Sequence, residues 1–283
     1  MIKGNKNCTF LVNSCDKYSD VWPLFFSSLK ENYKDIPYNV VLNTESLSYE
    51  FEGIKIKTFS LYEAGQEVSW GKRMIETLEN IDTEYIFFVM DDFVLESQVI
   101  HEYVDKCMEW MNKDKSIAAF YFLSILGPNI EDGLYENFEL LPQRKDYKLN
   151  SSPGIWRREK LIQYTGTKDS PWAWEFFGSA RTYKTDDKFY CAKVDFDDIY
   201  KYKYSMGGAI HRGKWVKSVV QPLLEKYSLN IDLSIRGLED ENWVSNQKGS
   251  TIKQKAKFFK EGYRMIGFDS LIYVYRSLKK YFI

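Results

Sequence analysis

Asp91 and Asp92 stand side by side after the apolar run Ile86-Phe87-Phe88-Val89-Met90. Inside a core, two carboxylates would each cost roughly several kcal/mol unless paired or bound to a metal. The core therefore ends at Met90, and the acids belong at the carboxyl edge of a sheet, where open α/β sheets bind ligands. Hard oxygen ligands there suit a divalent cation carrying a diphosphate. The bland alternative is that the pair only caps a loop. Further on, Trp172, Trp174 and Phe176 surround one carboxylate, Glu175. Tryptophan faces can stack on the C–H faces of sugars, and a carboxylate in apolar surroundings has a raised pKa suited to general-base work. The same stretch also reads as an aromatic core helix with one exposed acid.

Three further groups could take part. His211 sits among Gly207, Gly208, Arg212, Gly213 and Lys214. Glycines allow close approach of the backbone to a ligand, although a lone histidine is more often structural. Lys72 and Arg73 follow Trp70-Gly71 at the start of a helical pattern, where cations oppose the macrodipole. Local conflicts of this kind are tolerated at functional sites. A cation there could face a diphosphate, or both side chains could simply be solvated. Asn13-Ser14-Cys15-Asp16 follows the first strand candidate. Small polar residues there can accept a base or ribose, while Ser19 or Asp20 can cap the next helix.

These residues need a frame. Thr9–Val12, Asn39–Leu42, Ile54–Phe59, Ile86–Met90 and Ile117–Leu123 read as strands, as do Lys188–Val194 and Lys201–Ile210. Helical spacing marks Asp20–Tyr33, with Pro23 in its first turn, then Met74–Ile81, Ser97–Asn112 and Trp215–Tyr227. A short helix is expected from Ser151 to Tyr164, and His101 is expected at the surface. Gly127–Asn150 reads as a polar insertion with a hairpin near Phe138–Leu141, able to act as a lid. The alternation predicts an α/β fold, a mixed, mostly parallel sheet flanked by helices.

Composition narrows the function. At 283 residues and 44% hydrophobic content, the chain can hold one large α/β domain or one with appendages. A net charge of −1 excludes a nucleic-acid binder acting through bulk charge. Aromatic content is high, with 21 Tyr and 19 Phe, which suits sugar or base pockets as well as plain core packing. Cys8, Cys15, Cys107 and Cys191 form no CxxC pair and the two histidines are His101 and His211, so a structural zinc site is not expected. With no apolar signal region and no apolar run of eighteen residues, the chain reads as cytoplasmic with free thiols. From Gly249 onward, eight Lys and Arg face two acids and alternate with aromatics. That composition fits peripheral contact with a membrane surface, or a helical cap docked on the domain.

The chain resembles bacterial glycosyltransferases of the GT-A fold, family-two-like, found in capsule and lipopolysaccharide synthesis. The resemblance is carried by Trp70-Gly71, Glu84 through Leu95, Pro153-Gly154-Ile155-Trp156-Arg157, Pro171-Trp172 through Glu175, Gly178-Ser179 and Arg212-Gly213-Lys214-Trp215, and spans about residues 8–216. It implies a GT-A-like (Rossmann-like) catalytic domain over 1–248, with a nucleotide-sugar half to about 125 and an acceptor half beyond, and a C-terminal helical extension over 249–283. It implies a nucleotide-sugar donor, UDP-linked, held by Asn13, Asp16, Trp70, Arg73 and Asp91. It implies Asp92 and His211 as ligands of Mn2+ or Mg2+, and Trp156, Trp172 and Trp174 beside a glycan or lipid-linked acceptor. Glu175 would be the base of an inverting transfer. One departure stands out. The family's acid–any–acid motif is replaced by adjacent aspartates, which can share one cation only where the chain turns. A sugar-phosphate nucleotidyltransferase should carry a glycine-rich loop after the first strand, and Asn13–Asp16 has no glycine. A non-catalytic carbohydrate-binding protein could use the same aromatics.

Overall fold

The computed structural model describes residues 7–196, 199–203, 207–239, 252–271 and 273. Its centre is an eight-stranded sheet built from β1 (Cys8–Asn13), β2 (Asn39–Thr44), β3 (Ile56–Ser60), β4 (Tyr85–Met90), β5 (Ile117–Tyr121), β6 (Phe138–Leu140), β7 (Gly154–Arg157) and β8 (Lys188–Ala192), in the order β3-β2-β1-β4-β7-β5-β8-β6. The β1–β2, β2–β3, β1–β4 and β5–β8 pairs are parallel, whereas β7 runs antiparallel between β4 and β5 and β6 antiparallel on β8. The expected α/β class, a mixed and mostly parallel sheet flanked by helices, is present.

The central strands are apolar throughout because both faces are covered. Alternate side chains point to opposite faces. Phe10, Val12, Phe87 and Val89 pack with α1 (Trp22–Asn32) and α3 (His101–Lys113), while Leu11, Ile86 and Phe88 pack with Met74 and Leu78 of α2 (Trp70–Glu79). Ser69 caps α2 by accepting from the Lys72 amide at 3.3 Å. Neither Ser19 nor Asp20 caps α1; Val21 stands at that position, and the Asp20 carboxylate binds Arg236 instead.

Two expected elements and one expected surface residue differ. The stretch expected as one helix from Ser151 splits into β7 and α4 (Arg158–Tyr164). Four residues are too few for periodicity to separate strand from helix, and here the sheet decides. Gly154 lies so close to β5 that a Cβ would meet the Phe120 carbonyl at 2.4 Å. Lys201–Ile210 is not a sheet strand. Its described part makes a single bridge from Tyr202 to Leu95, and positive φ at Gly207 and Gly208 leads into a small hairpin of β9 (Ile210–His211) and β10 (Lys214–Trp215). Residues 204–206 lie outside the described residues. His101 is not a free surface residue. Its Nδ1 lies 2.6 Å from the Tyr33 hydroxyl, and its ring packs beside Tyr33 and Tyr38.

After the hairpin, α6 (Lys217–Tyr227) packs against α1 through a cluster that includes Val21, Leu24, Val219 and Val220. α5 (Pro171–Phe176) carries the Trp172–Glu175 stretch. α7 (Ile252–Ile266) docks on α5 and the chain just after it, through Phe258, Phe259, Met265 and Ile266 against Ala173, Phe177 and Ala180. Part of the basic tail, including Arg276, Lys279 and Lys280, lies outside the described residues. Among the described residues, no helix is long and apolar enough to cross a membrane.

Candidate functional site

A cleft of about 930 Å³ opens at the carboxyl ends of β1 and β4. One wall comes from the end of β1 and the loop after it (Asn13, Ser14, Cys15, Tyr18), from Trp70 and Arg73 of α2, and from Asp91 and Asp92. The other comes from Leu126, Tyr147, Ser151, Trp172 and Glu175, with His211 from the small hairpin. Eight of the eleven residues singled out in the sequence thus line one cavity: Asn13, Trp70, Arg73, Asp91, Asp92, Trp172, Glu175 and His211.

The chain turns at the paired acids, with the Phe93 amide closing onto the Met90 carbonyl at 3.3 Å. Adjacent aspartates can therefore point differently from residues of an extended strand. Asp91 is buried and accepts from the Ser14 hydroxyl, which in turn accepts from Trp22 Nε1 at 2.6 Å. Burial pushes its carboxyl up to about 7, against the Ser14 bond and the Arg236 charge. Asp92 is half-buried, and burial together with the charge of Asp91 raises it too. Its carbonyl accepts from the Ala209 amide at 2.8 Å. At Gly208 (φ +96°) a Cβ would lie 2.8 Å from that carbonyl and 3.3 Å from Asp92 Oδ2. The glycine is thus required by close approach as well as by its backbone angle.

Arg73 explains the cation at the start of α2. Its guanidinium is buried and donates to the carbonyls of Ser14 and Asn43, with Glu45 Oε1 3.2 Å away. It staples the ends of β1 and β2 while lining the cleft. Asn13 Oδ1 accepts from Asn43 at 3.0 Å in the same network. Lys72 is exposed, as the solvated reading has it, whereas the buried Arg73 departs from that reading.

Across the cleft, Glu175 accepts from the Ser151 amide at 2.7 Å and its hydroxyl at 2.5 Å. Burial raises its carboxyl, and both Ser151 bonds oppose that rise. Trp172 is 72% exposed and, three residues before Glu175, shares its side of α5. Trp174, two residues from Trp172, must face elsewhere. It is fully buried, as is Trp156, and their ring centroids lie 5.9 Å apart in the core. Neither can stack on an acceptor; both are packing residues, and Trp70 lies against Trp174 at 5.5 Å. Asp16 is also turned away. Its carboxylate accepts from the amides of Glu45, Ser46 and Leu47 and from the Ser46 hydroxyl, fixing the loop after β2. Those bonds hold it below the usual carboxylate range although burial pushes the other way.

Several groups in or beside the cleft escaped the sequence reading. Ser151 meets Glu175 across 24 residues of chain, and no local pattern announces the pair. Arg236 reaches back to bind Asp20 at 2.7 Å and covers the Tyr18 ring at 4.3 Å, steadying the loop after β1. Ser14, quoted only as a small polar residue, proves to hold Asp91.

As to a cation, no three His, Cys, Asp or Glu side chains converge among the described residues. His211 lies 3.6 Å from Glu239, not in a ligand set with the aspartates. Two neighbouring carboxylates at a cleft do fit Mg2+ or Mn2+ of the kind bound through one or two acids plus substrate phosphates.

No protein-family model matches the chain, and no curated protein matches it. Among solved structures it is similar to S. aureus TarS, at 11% identity over 92% of this chain and 44% of that one, with a TM-score of 0.45. It is similar to the galactosyltransferase LgtC in complex with donor and acceptor sugar analogues, at 9% identity over 84% of this chain and all of that one, TM-score 0.44. It is also similar to CMP:2-keto-3-deoxy-manno-octonic acid synthetase complexed with CTP, at 11% identity over 66% of this chain and 89% of that one, TM-score 0.39. The chain spans less than half the length of TarS.

Proposed function

We propose that this chain is a nucleotide-sugar-dependent glycosyltransferase. It moves a sugar from a nucleoside-diphosphate donor, UDP-linked, to a hydroxyl of a glycan or lipid-linked acceptor in surface polysaccharide synthesis. The observation that carries this reading is one cleft with unlike walls: paired aspartates and an arginine on one side, and on the other a carboxylate held by Ser151 beside an exposed tryptophan. Residues 1–248 form the catalytic part in this reading, and 249–283 an extension.

The donor's diphosphate lies toward Asp91 and Asp92. Asp92, aided by Asp91, would hold a divalent cation, whose charge would supply stabilisation for a departing diphosphate. The acceptor sugar rests on Trp172. Glu175 removes the proton from the acceptor hydroxyl. That oxygen bonds to the anomeric carbon as the carbon–oxygen bond to the diphosphate breaks, and the nucleoside diphosphate departs. A single base across the sugar gives inversion, with no covalent intermediate.

A thermal-shift screen of nucleoside diphosphates, each with and without Mn2+, tests the donor side, followed by product analysis with UDP-sugars. Cation-dependent stabilisation and sugar release are expected. Pyrophosphate release from a nucleoside triphosphate and a sugar phosphate would establish the nucleotidyltransferase reading instead. Sugar binding without nucleotide binding would leave only a carbohydrate-binding protein.

A further inference from the structure

We infer that the outer face of α7 and the turn after it seat on an anionic lipid bilayer, so that the cleft receives a lipid-linked acceptor. This rests on the glycosyltransferase reading and specifies its acceptor. The inner face of α7 is spent on the domain, through Phe258, Phe259, Met265 and Ile266. Gly262 lets it come close, since a Cβ there would lie 2.5 Å from the Phe177 ring. The outer face shows Lys257, Lys260 and Arg264 to solvent. Their spacing puts them on one side of the helix.

Large apolar groups follow within a few residues. Tyr263 is 52% exposed, Phe268 76% and Leu271 55%. Exposed apolar residues scattered singly need no explanation, but three within residues 263–271 beside three cations do. The acids of this segment are engaged elsewhere: Glu261 accepts from the Ser170 hydroxyl at 2.6 Å and Asp269 pairs with Lys184 at 3.0 Å. With Asp269 paired, three exposed cations against the single Glu261 leave the outward charge positive. An apolar wedge bordered by cations is complementary to anionic headgroups over an acyl boundary.

The patch adjoins the acceptor side of the cleft. Phe176 touches Tyr147 of the cleft wall at 5.5 Å and Phe258 of α7 at 5.4 Å. Leu126 and Trp172, also in the cleft wall, are 87% and 72% exposed. An acceptor whose lipid stays in the bilayer could offer its sugar to Trp172 and Glu175 without leaving the membrane.

The test is co-sedimentation of the full chain with vesicles of phosphatidylcholine alone or mixed with phosphatidylglycerol, at physiological salt. Binding to the mixed vesicles only is expected. Lys257→Glu/Lys260→Glu/Arg264→Glu should lower partition by at least about 100-fold, counting about fivefold for each attraction lost and leaving the added repulsion aside. Phe268→Ser/Leu271→Ser should lower it by about tenfold or more. Both variants should keep the wild-type thermal shift with a nucleoside diphosphate, because their side chains lie outside the cleft. Wild-type protein that fails to pellet with the mixed vesicles, or variants that pellet like wild type, would overturn the inference. So would lipid-free dimerisation abolished by Phe268→Ser, which would make the patch a protein interface. Vesicle binding without any nucleotide response would instead sink the glycosyltransferase reading and leave the membrane contact standing.

Discussion

Glu175→Gln separates chemistry from architecture in this cleft. The amide keeps the size of the carboxylate, and its carbonyl oxygen can still accept from the Ser151 amide and hydroxyl, now at 2.7 and 2.5 Å. Folding and donor affinity should therefore stay near wild type. Basicity is lost, and transfer should fall by about 10²–10⁴-fold, the usual contribution of a general base. The base works when ionised, and burial raises its pKa, so the acid limb of the transfer rate should lie above the ordinary glutamate range. Ser151→Ala removes a bond that lowers that pKa, so it should move the acid limb to still higher pH while preserving the plateau. Transfer to a true acceptor measured against pH, with donor affinity by calorimetry, reads both effects. A folded Glu175→Gln protein that transfers at the wild-type rate would remove Glu175 from the reaction. An acid limb unmoved by Ser151→Ala would mean that the limb reports another group.

Three further outcomes follow from the geometry. Asp92→Asn should abolish cation-assisted binding of a nucleoside diphosphate without lowering Tm; calorimetry with and without Mn2+ reads this, and unchanged affinity excludes the ligand role. Gly208→Ala should cost about 1–3 kcal/mol for its backbone angle alone, and should weaken cation-assisted binding as well, because the new Cβ presses on Asp92; denaturant unfolding beside the same calorimetry would show both. Trp174→Ala should cost about 3–5 kcal/mol of stability, whereas Trp172→Ala should leave unfolding unchanged and raise the acceptor KM; equal unfolding midpoints for the two would contradict their placement.

Much of the frame was legible because the strands that define it are buried on both faces. Phe10 through Val12 and Ile86 through Val89 are apolar without interruption, and only a central, covered strand asks for that. The helices announced themselves by one-sided apolar spacing. β7 did not, since Gly154-Ile155-Trp156-Arg157 is too short to show a period, and its place between β4 and β5 is fixed by residues far off in sequence. The Lys201–Ile210 stretch looked like a strand by composition, yet Gly207 and Gly208 take the chain through positive φ before the hairpin.

The site divides along the same physical line. A carboxylate placed directly after a buried strand must emerge at the sheet's edge, so Asp91 and Asp92 could be located from sequence alone. The tryptophans could not be sorted by composition, but helix geometry contained the answer. Trp172 and Glu175 are three apart and share a side, while Trp174 is two from Trp172 and cannot join them. Once α5 is known to be a helix, one tryptophan belongs to the cleft and the other to the core, as their exposures of 72% and 0% record. What stayed hidden is the set of groups that tune the acids. Ser14 on Asp91, Ser151 on Glu175 and Arg236 over Tyr18 meet across 77, 24 and 218 positions of chain. Each such contact joins residues far apart in the chain that only the folded state brings together. The chemistry of a residue was therefore readable where its neighbours in sequence dictate its surroundings, and unreadable where the fold supplies them.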